Sequence, residues 1–196
     1  IRDAHGREAL VVPTDVTDPE QVRSAVTETA DTFGGIDVVV ANAGLGVDKD
    51  VESLSIEEYE LMTDVNVNGM FYTAKAALPH LKASSGNLVF LGSFSGQHPR
   101  PYNPVYAATK WWTRGFALSL EGAVGDEGVA VSVVNPTEVR TEFGSETDDP
   151  LEDRFDPGEV TEPEEVAEAI AFIAAQRPPN TVSELNLYRR DKFSHF

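Results

Sequence analysis

Ser93, Tyr106 and Lys110 are residues whose types and spacing could do chemistry together. If Pro104 opens a helix, Tyr106 and Lys110 fall at i and i+4 on one face. Their Cβ atoms are then roughly 5–6 Å apart. A free phenol titrates near ~10 and is almost inert as a base at neutral pH. A fixed ammonium beside it favours the phenolate, which makes the pair an acid–base device. A serine hydroxyl delivered from a preceding strand end, as Ser93 would be, could hold the oxygen that gains or loses the proton. Taken alone, Tyr-x-x-x-Lys is equally the spacing of a solvated helix pair. The surrounding elements decide between the two.

Those elements alternate. Glu8–Thr14 is a short apolar run that reads as a buried strand. Asp18-Pro19-Glu20 starts a helix with a cap, a proline at the first position and acid in the first turn. Val22, Ala25, Val26, Ala30 and Phe33 form its apolar face, and Gly34-Gly35 stop it. A second strand covers 36–41 and a loop follows from Asn42 to Ser55. One long helix is predicted from Ile56 to about Leu81, with Tyr59, Met62, Val65, Val67, Met70, Phe71 and Ala74 inward. Strand 87–91 delivers Gly92-Ser93, a helix covers about 105–123, and strand 129–134 ends at Asn135-Pro136. Residues 137–162 are acidic and aperiodic, too long for a plain connector. A last helix over 163–175 and a strand over 182–187 close the pattern. Strands alternating with helices, most of them continuous apolar runs, predict an α/β fold: a doubly wound parallel sheet covered on both faces. Ligands of such sheets lie beyond the C-terminal strand ends, where Asp15, Asn42, Ser93 and Pro136 all fall.

The 196 residues, 41% of them hydrophobic, suffice for one domain spanning 1–196. The formal net charge of −18 argues against nucleic acid and anionic membranes as partners. No apolar run approaches a membrane span and no signal peptide is visible, so a cytoplasmic location is expected. There is no cysteine, and His5, His80, His98 and His195 have no metal-ligand spacing. Spread-out acid with little lysine resembles the composition of proteins from salt-rich cytoplasm, where ionic strength screens self-repulsion. The opening Ile1 to Gly6 reads as the last turn of a helix closed by glycine, which leads us to expect sequence upstream.

Six elements, in order and at familiar spacing, are similar to those of the short-chain dehydrogenase/reductase family. Asp15-Val16 resembles the family's pair at the adenine, and Asn42-Ala43-Gly44 its Asn-Ala-Gly motif, where small residues let the cofactor approach. Asn66 matches the family's active-site asparagine, Ser93 its serine, and Tyr106 with Lys110 its catalytic pair. Pro136, Val139 and Thr141 resemble the stretch that holds the nicotinamide end. The resemblance implies a Rossmann-type domain, NAD or NADP as cofactor, and reversible hydride transfer to or from an alcohol or ketone. Tyr106 would act as acid/base, Lys110 would lower its pKa, Ser93 would hold the substrate oxygen, and Asn66 would hold a proton-relay water. Substrate choice would fall to Ser93, Phe94, His98, Tyr102 and Phe143, with Arg100 facing either solvent or an acidic substrate. Family members commonly form dimers or tetramers through the two long helices and last strand, so a homodimer or homotetramer is expected, and Trp111 and Trp112 serve packing or that contact.

Three departures accompany the match. Pro136 is followed by Thr137 where the family has glycine, so backbone contact to the nicotinamide is expected to differ. Gly92 stands where a second serine is common, a change expected to be harmless. The family's first strand and Gly-rich phosphate turn have no counterpart here, so this stretch alone is expected to bind dinucleotide poorly and to leave one side of strand 36–41 unpaired. A non-catalytic dinucleotide sensor or an assembly module on the same fold is the competing reading.

Overall fold

Val38–Ala41 (β1), Asn87–Leu91 (β2), Ala130–Pro136 (β3) and Glu184–Leu187 (β4) form one parallel sheet in the order β1-β2-β3-β4. The computed structural model describes residues 5–144 and 150–194. The Rossmann-type arrangement expected from the alternation is therefore present. Helices α1 (Pro19–Phe33), α2 (Ile56–Thr63), α3 (Met70–Ser84), α4 (Pro104–Val124), the short α5 (Leu151–Arg154) and α6 (Pro163–Ala174) fill the connections.

Strand alternation divides the core into two layers. Leu88, Phe90, Val131 and Val133 point to one face, where Met70, Ala74, Ala77 and Leu81 of α3 and Ala117 and Val124 of α4 cover them. Val89 and Val134 point to the other face and meet Ile170 and Ile173 of α6. Both faces are thus closed, which is why β2 and β3 could be continuous apolar runs.

The local start and stop signals work as read. The Asp18 carboxylate accepts the N–H groups of Glu20 and Gln21 ahead of α1, and Gly34 ends it at φ 82°. Ser55 and Glu58 form a reciprocal capping box at α2.

Four expectations change. Residues 8–14 are not a strand; Val11 is 85% exposed. An apolar run becomes a strand only where a neighbour takes its backbone hydrogen bonds, and no described strand lies alongside it. As expected, β1 is the sheet edge, with Val38 and Val40 exposed. The long helix is broken by a π-helical segment over Asp64–Gly69. The wider turn shifts the helical phase after it, so Met70 and Ala74 are buried while Phe71 faces outward; before it Met62 is buried and Tyr59 exposed. Phe33 at the end of α1 is also exposed. Of the helix end expected over 1–6, residues 1–4 lie outside the described residues, as do 145–149 of the acidic segment.

Candidate active site

The C-terminal ends of β1, β2 and β3 open on a cavity of about 590 Å³. Asn42, Gly44, Ser93, Phe94, Tyr102, Tyr106, Lys110, Pro136, Val139, Thr141 and Phe143 all line it. The fold thus brings most of the sequence-predicted site together. Asp15 and Val16 lie elsewhere: the Asp15 carboxylate caps the turn before α1 by accepting the N–H and hydroxyl of Thr17, and Val16 packs on Gly69. Ala43 is exposed beside the cavity, and His98 stacks on Phe94 with ring centroids 4.2 Å apart.

Pro104 starts α4, so Tyr106 and Lys110 do share a face, and both are buried. Burial pushes Tyr106 up to about 12, and a hydrogen bond with Ser93 is the main influence pulling it back. Asp48 raises it further and the Arg100 charge lowers it. Burial pulls Lys110 down to about 8. The Lys110 ammonium lies 5.8 Å from the Tyr106 ring centroid and donates to the Leu91 carbonyl at 2.9 Å. The leading groups acting on the phenol are therefore burial and Ser93 rather than the lysine. The helix spacing sets the separation of the two side chains, but the end of β2 captures the ammonium.

Asn66 is fully buried in the π-helical segment. Its amide accepts from Leu45 N–H at 2.9 Å and donates to the Leu45 carbonyl at 2.8 Å and to Thr109 Oγ1 at 3.0 Å. Both of its N–H donors are thus used by protein. It ties the loop after β1 to α4, directly behind Tyr106 and Lys110. A Cβ on Gly44 would sit 3.3 Å from Asn66 Oδ1 and 3.4 Å from Lys110 Nζ, so glycine keeps that floor open.

Ser93 leaves β2 and caps the 3-10 turn Phe94–Gly96, its Oγ accepting from Ser95 N–H at 3.0 Å. Its own N–H donates to Asn135 Oδ1 at 3.2 Å. Asn135 is fully buried and donates to Glu184 at 2.8 Å and Asn186 at 3.0 Å, while Arg114 grips Glu184 with two hydrogen bonds. Gln97 adds bonds to Glu184 and Asn186. No periodicity could have revealed this polar brace, because its members come from four separate segments. Gly92 belongs to it by exclusion: a Cβ there would stand 2.1 Å from Asn135 Oδ1. Glycine at 92 is thus required by Asn135, not a neutral exchange.

Asp48 and Asn103 were also hidden. Asn103 sits at the cap position of α4, yet its amide donates to Asp48 at 2.6 Å instead of capping the helix. Thr137 gives its N–H to the Leu187 carbonyl, and its hydroxyl is buried without a partner. Among the described residues five buried side-chain polar atoms lack partners, and four belong to cavity residues: Arg100 Nε, Asn103 Oδ1, Thr137 Oγ1 and Glu138 Oε2. Unmet polar groups concentrated in one hollow mark a place made for a ligand.

A family model for short chain dehydrogenases matches residues 1–152. The chain belongs to the short chain dehydrogenase family. An uncharacterised oxidoreductase of Staphylococcus aureus is 34% identical over 178 residues, covering 90% of this chain and 74% of the relative. One from Staphylococcus epidermidis is 32% identical over 180 residues, covering 91% and 76%. Among solved structures, an alcohol dehydrogenase from Thermococcus sibiricus complexed with 5-hydroxy-NADP superposes with a TM-score of 0.85 at 32% identity, covering 95% of this chain and 77% of that one. A closed serine dehydrogenase complexed with NADP+ gives 0.86 at 26%, covering 95% and 78%. Both structures share the fold described above.

Proposed function

We propose that the protein is an NAD(P)-dependent oxidoreductase that transfers hydride reversibly between the nicotinamide and a small alcohol/carbonyl pair, with Tyr106 as acid/base. The observation that carries this is the convergence of Ser93 with the buried Tyr106 and Lys110 in one ligand-sized cavity at the strand ends. The residues present fit the nicotinamide end of the cofactor. Gly44 leaves a floor that a Cβ would fill, and Thr137 and Glu138 offer unpartnered polar atoms. Asn42, Pro136, Val139, Thr141 and Lys110 would hold that end, while Asp15 and Val16 fall to the adenine side by resemblance alone. When bound, the nicotinamide supplies or accepts the hydride.

The chain's own residues manage the proton and the oxygen. Ser93 donates its hydroxyl hydrogen bond to the substrate oxygen, where charge develops. Tyr106, protonated at neutral pH, gives its proton to that oxygen in reduction and takes it back in oxidation. The Lys110 ammonium favours the phenolate as it forms. The Asn66 side chain positions the loop after β1 against α4, alongside the water-holding role that the resemblance implies. Phe94, Tyr102 and Phe143 wall the substrate side, with His98 stacked behind Phe94.

The decisive experiment uses the full-length protein in high salt, with NADH and NADPH titrated separately and turnover followed on a panel of alcohols and ketones. Saturable binding with turnover is expected. The Tyr106→Phe variant should keep cofactor binding and lose at least ~10²-fold in kcat. Binding without turnover by any panel member would support the sensor reading instead.

A further inference from the structure

The substrate end of the cavity carries a cation that no carboxylate among the described residues pairs with. Arg100, on the loop before α4, places its guanidinium 5.1 Å from the centroid of the Phe94 ring and 4.9 Å from that of Tyr102. Its Nε is buried without a partner, and none of the ion pairs among the described residues includes it. The chain holds 33 Asp and Glu against 15 Lys and Arg. A half-buried arginine without an ion pair among the described residues, amid such an excess of acid, is open to an outside anion. Aromatic rings can hold a guanidinium through cation–π attraction without satisfying the donors of its fork. Keeping the Arg100 Nε desolvated and unpartnered is costly, and an incoming anion would offset the cost.

We propose that Arg100 anchors the carboxylate of the substrate, so that the alcohol or ketone turned over at Tyr106 is a hydroxy acid or an oxo acid. The proposal rests on the reading of Ser93 and Tyr106 as the reacting centre and adds the class of molecule they act on. Phe94 connects the two places in the chain, following Ser93 directly and lying under the guanidinium. The carboxylate takes no part in the reaction. The carbinol carbon loses its hydride to the oxidised nicotinamide and the hydroxyl loses its proton to Tyr106, or the reverse. A planar fork matches a carboxylate through two parallel hydrogen bonds. Asp48 lines the same cavity, its carboxylate held by Asn103. Its negative charge disfavours a phosphate dianion, so a singly charged carboxylate is the occupant to which we commit.

The test has a binding arm that does not depend on turnover. Calorimetry with the full-length protein and its nicotinamide cofactor would compare butanoate with the neutral isostere butanamide. Butanoate should bind on the order of 10- to 100-fold more tightly, the range of a charge-assisted bidentate contact. Arg100→Ala, checked for native circular dichroism, should erase that preference. Arg100→Lys, which keeps the charge but not the fork, should retain part of it. In the turnover arm, 2- and 3-hydroxybutanoate are compared with their methyl esters, and Arg100→Ala should collapse the acid-over-ester ratio in kcat/KM, chiefly through KM. Equal binding of butanoate and butanamide, or a preference that survives in folded Arg100→Ala, would overturn the proposal. Arg100-dependent binding of butanoate with no turnover of any substrate would uphold the anchor and sink the oxidoreductase reading. Turnover of esters and acids alike would do the opposite.

Discussion

Lys110 is 4% exposed, and burial pulls its pKa from the ordinary 10.5 to about 8. The folded state therefore binds that proton more weakly than the unfolded chain. Its contribution to stability is present above about pH 10.5 and is lost as the pH falls through about 8. The full difference is on the order of 3 kcal/mol. Tyr106 has the opposite sign: its pKa is raised to about 12, so its contribution is lost only as the pH rises from about 10 through about 12. Between pH 8 and 10 the lysine effect should dominate the difference between wild type and Lys110→Met. Denaturant unfolding at several pH values should show wild type gaining on the variant across that window. A constant difference between them would refute it.

Gly92 offers a second residue-scale prediction. With Asn135 Oδ1 only 2.1 Å from an added Cβ, Gly92→Ala should destabilise by about 1–3 kcal/mol and displace Ser93, lowering kcat. The double variant Gly92→Ala with Asn135→Ala relieves the clash and should recover part of the lost melting temperature. No recovery would mean that Val133 Cγ2, 2.8 Å from the same position, is the real obstacle.

At the scale of elements, the π-helical segment Asp64–Gly69 is what turns Asn66 inward. From there one amide joins the loop after β1, the π segment and α4, reaching both backbone groups of Leu45 and the Thr109 hydroxyl. Removing it leaves those backbone groups short of partners in a buried place, at about 1–3 kcal/mol. Asn66→Ala should lower the melting temperature and speed hydrogen exchange at the Leu45 amide while the sheet amides stay protected. Unchanged exchange at Leu45 would show that the loop is held by other contacts. The segment after β3 is anchored at its base in a comparable way, by Arg140 on Glu162 and the Arg140 N–H on the Thr161 carbonyl.

For the molecule as a whole, two of the exposed aromatic groups, Phe71 and Trp111, fall on the helices where a partner subunit is expected. Phe71 on α3 and Trp111 on α4 are 43% and 45% exposed, while Trp112 turns inward and stacks on Phe116 at 4.7 Å. The two long helices thus present aromatic surface to solvent, which we read as the contact between copies. Light scattering in high salt should give a dimer or tetramer, and Trp111→Glu should shift it toward monomer. A monomeric wild-type protein would remove this reading. No helix among the described residues is long and apolar enough to cross a membrane.

The sequence by itself determined what local rules control. Apolar runs bounded by glycine, proline and polar residues marked β1 to β3, and the alternation over 182–187 marked β4. Caps at Asp18 and Ser55 placed the helix starts, and a proline at 104 put Tyr106 and Lys110 one turn apart. Motif order and spacing then pointed to the family and to most of the cavity lining. The tertiary structure alone decided whatever depends on a partner far along the chain. Residues 8–14 carry a strand's pattern without a strand's neighbour, and Phe71 faces outward beyond a π turn that resets the helical phase. The Asn135–Glu184–Arg114 brace behind Ser93 and the unclaimed charge of Arg100 also arise only once strands and loops meet. Periodicity reports which face of an element is apolar. It carries no information about which distant polar group will stand opposite, and the chemistry at the strand ends is set by those meetings.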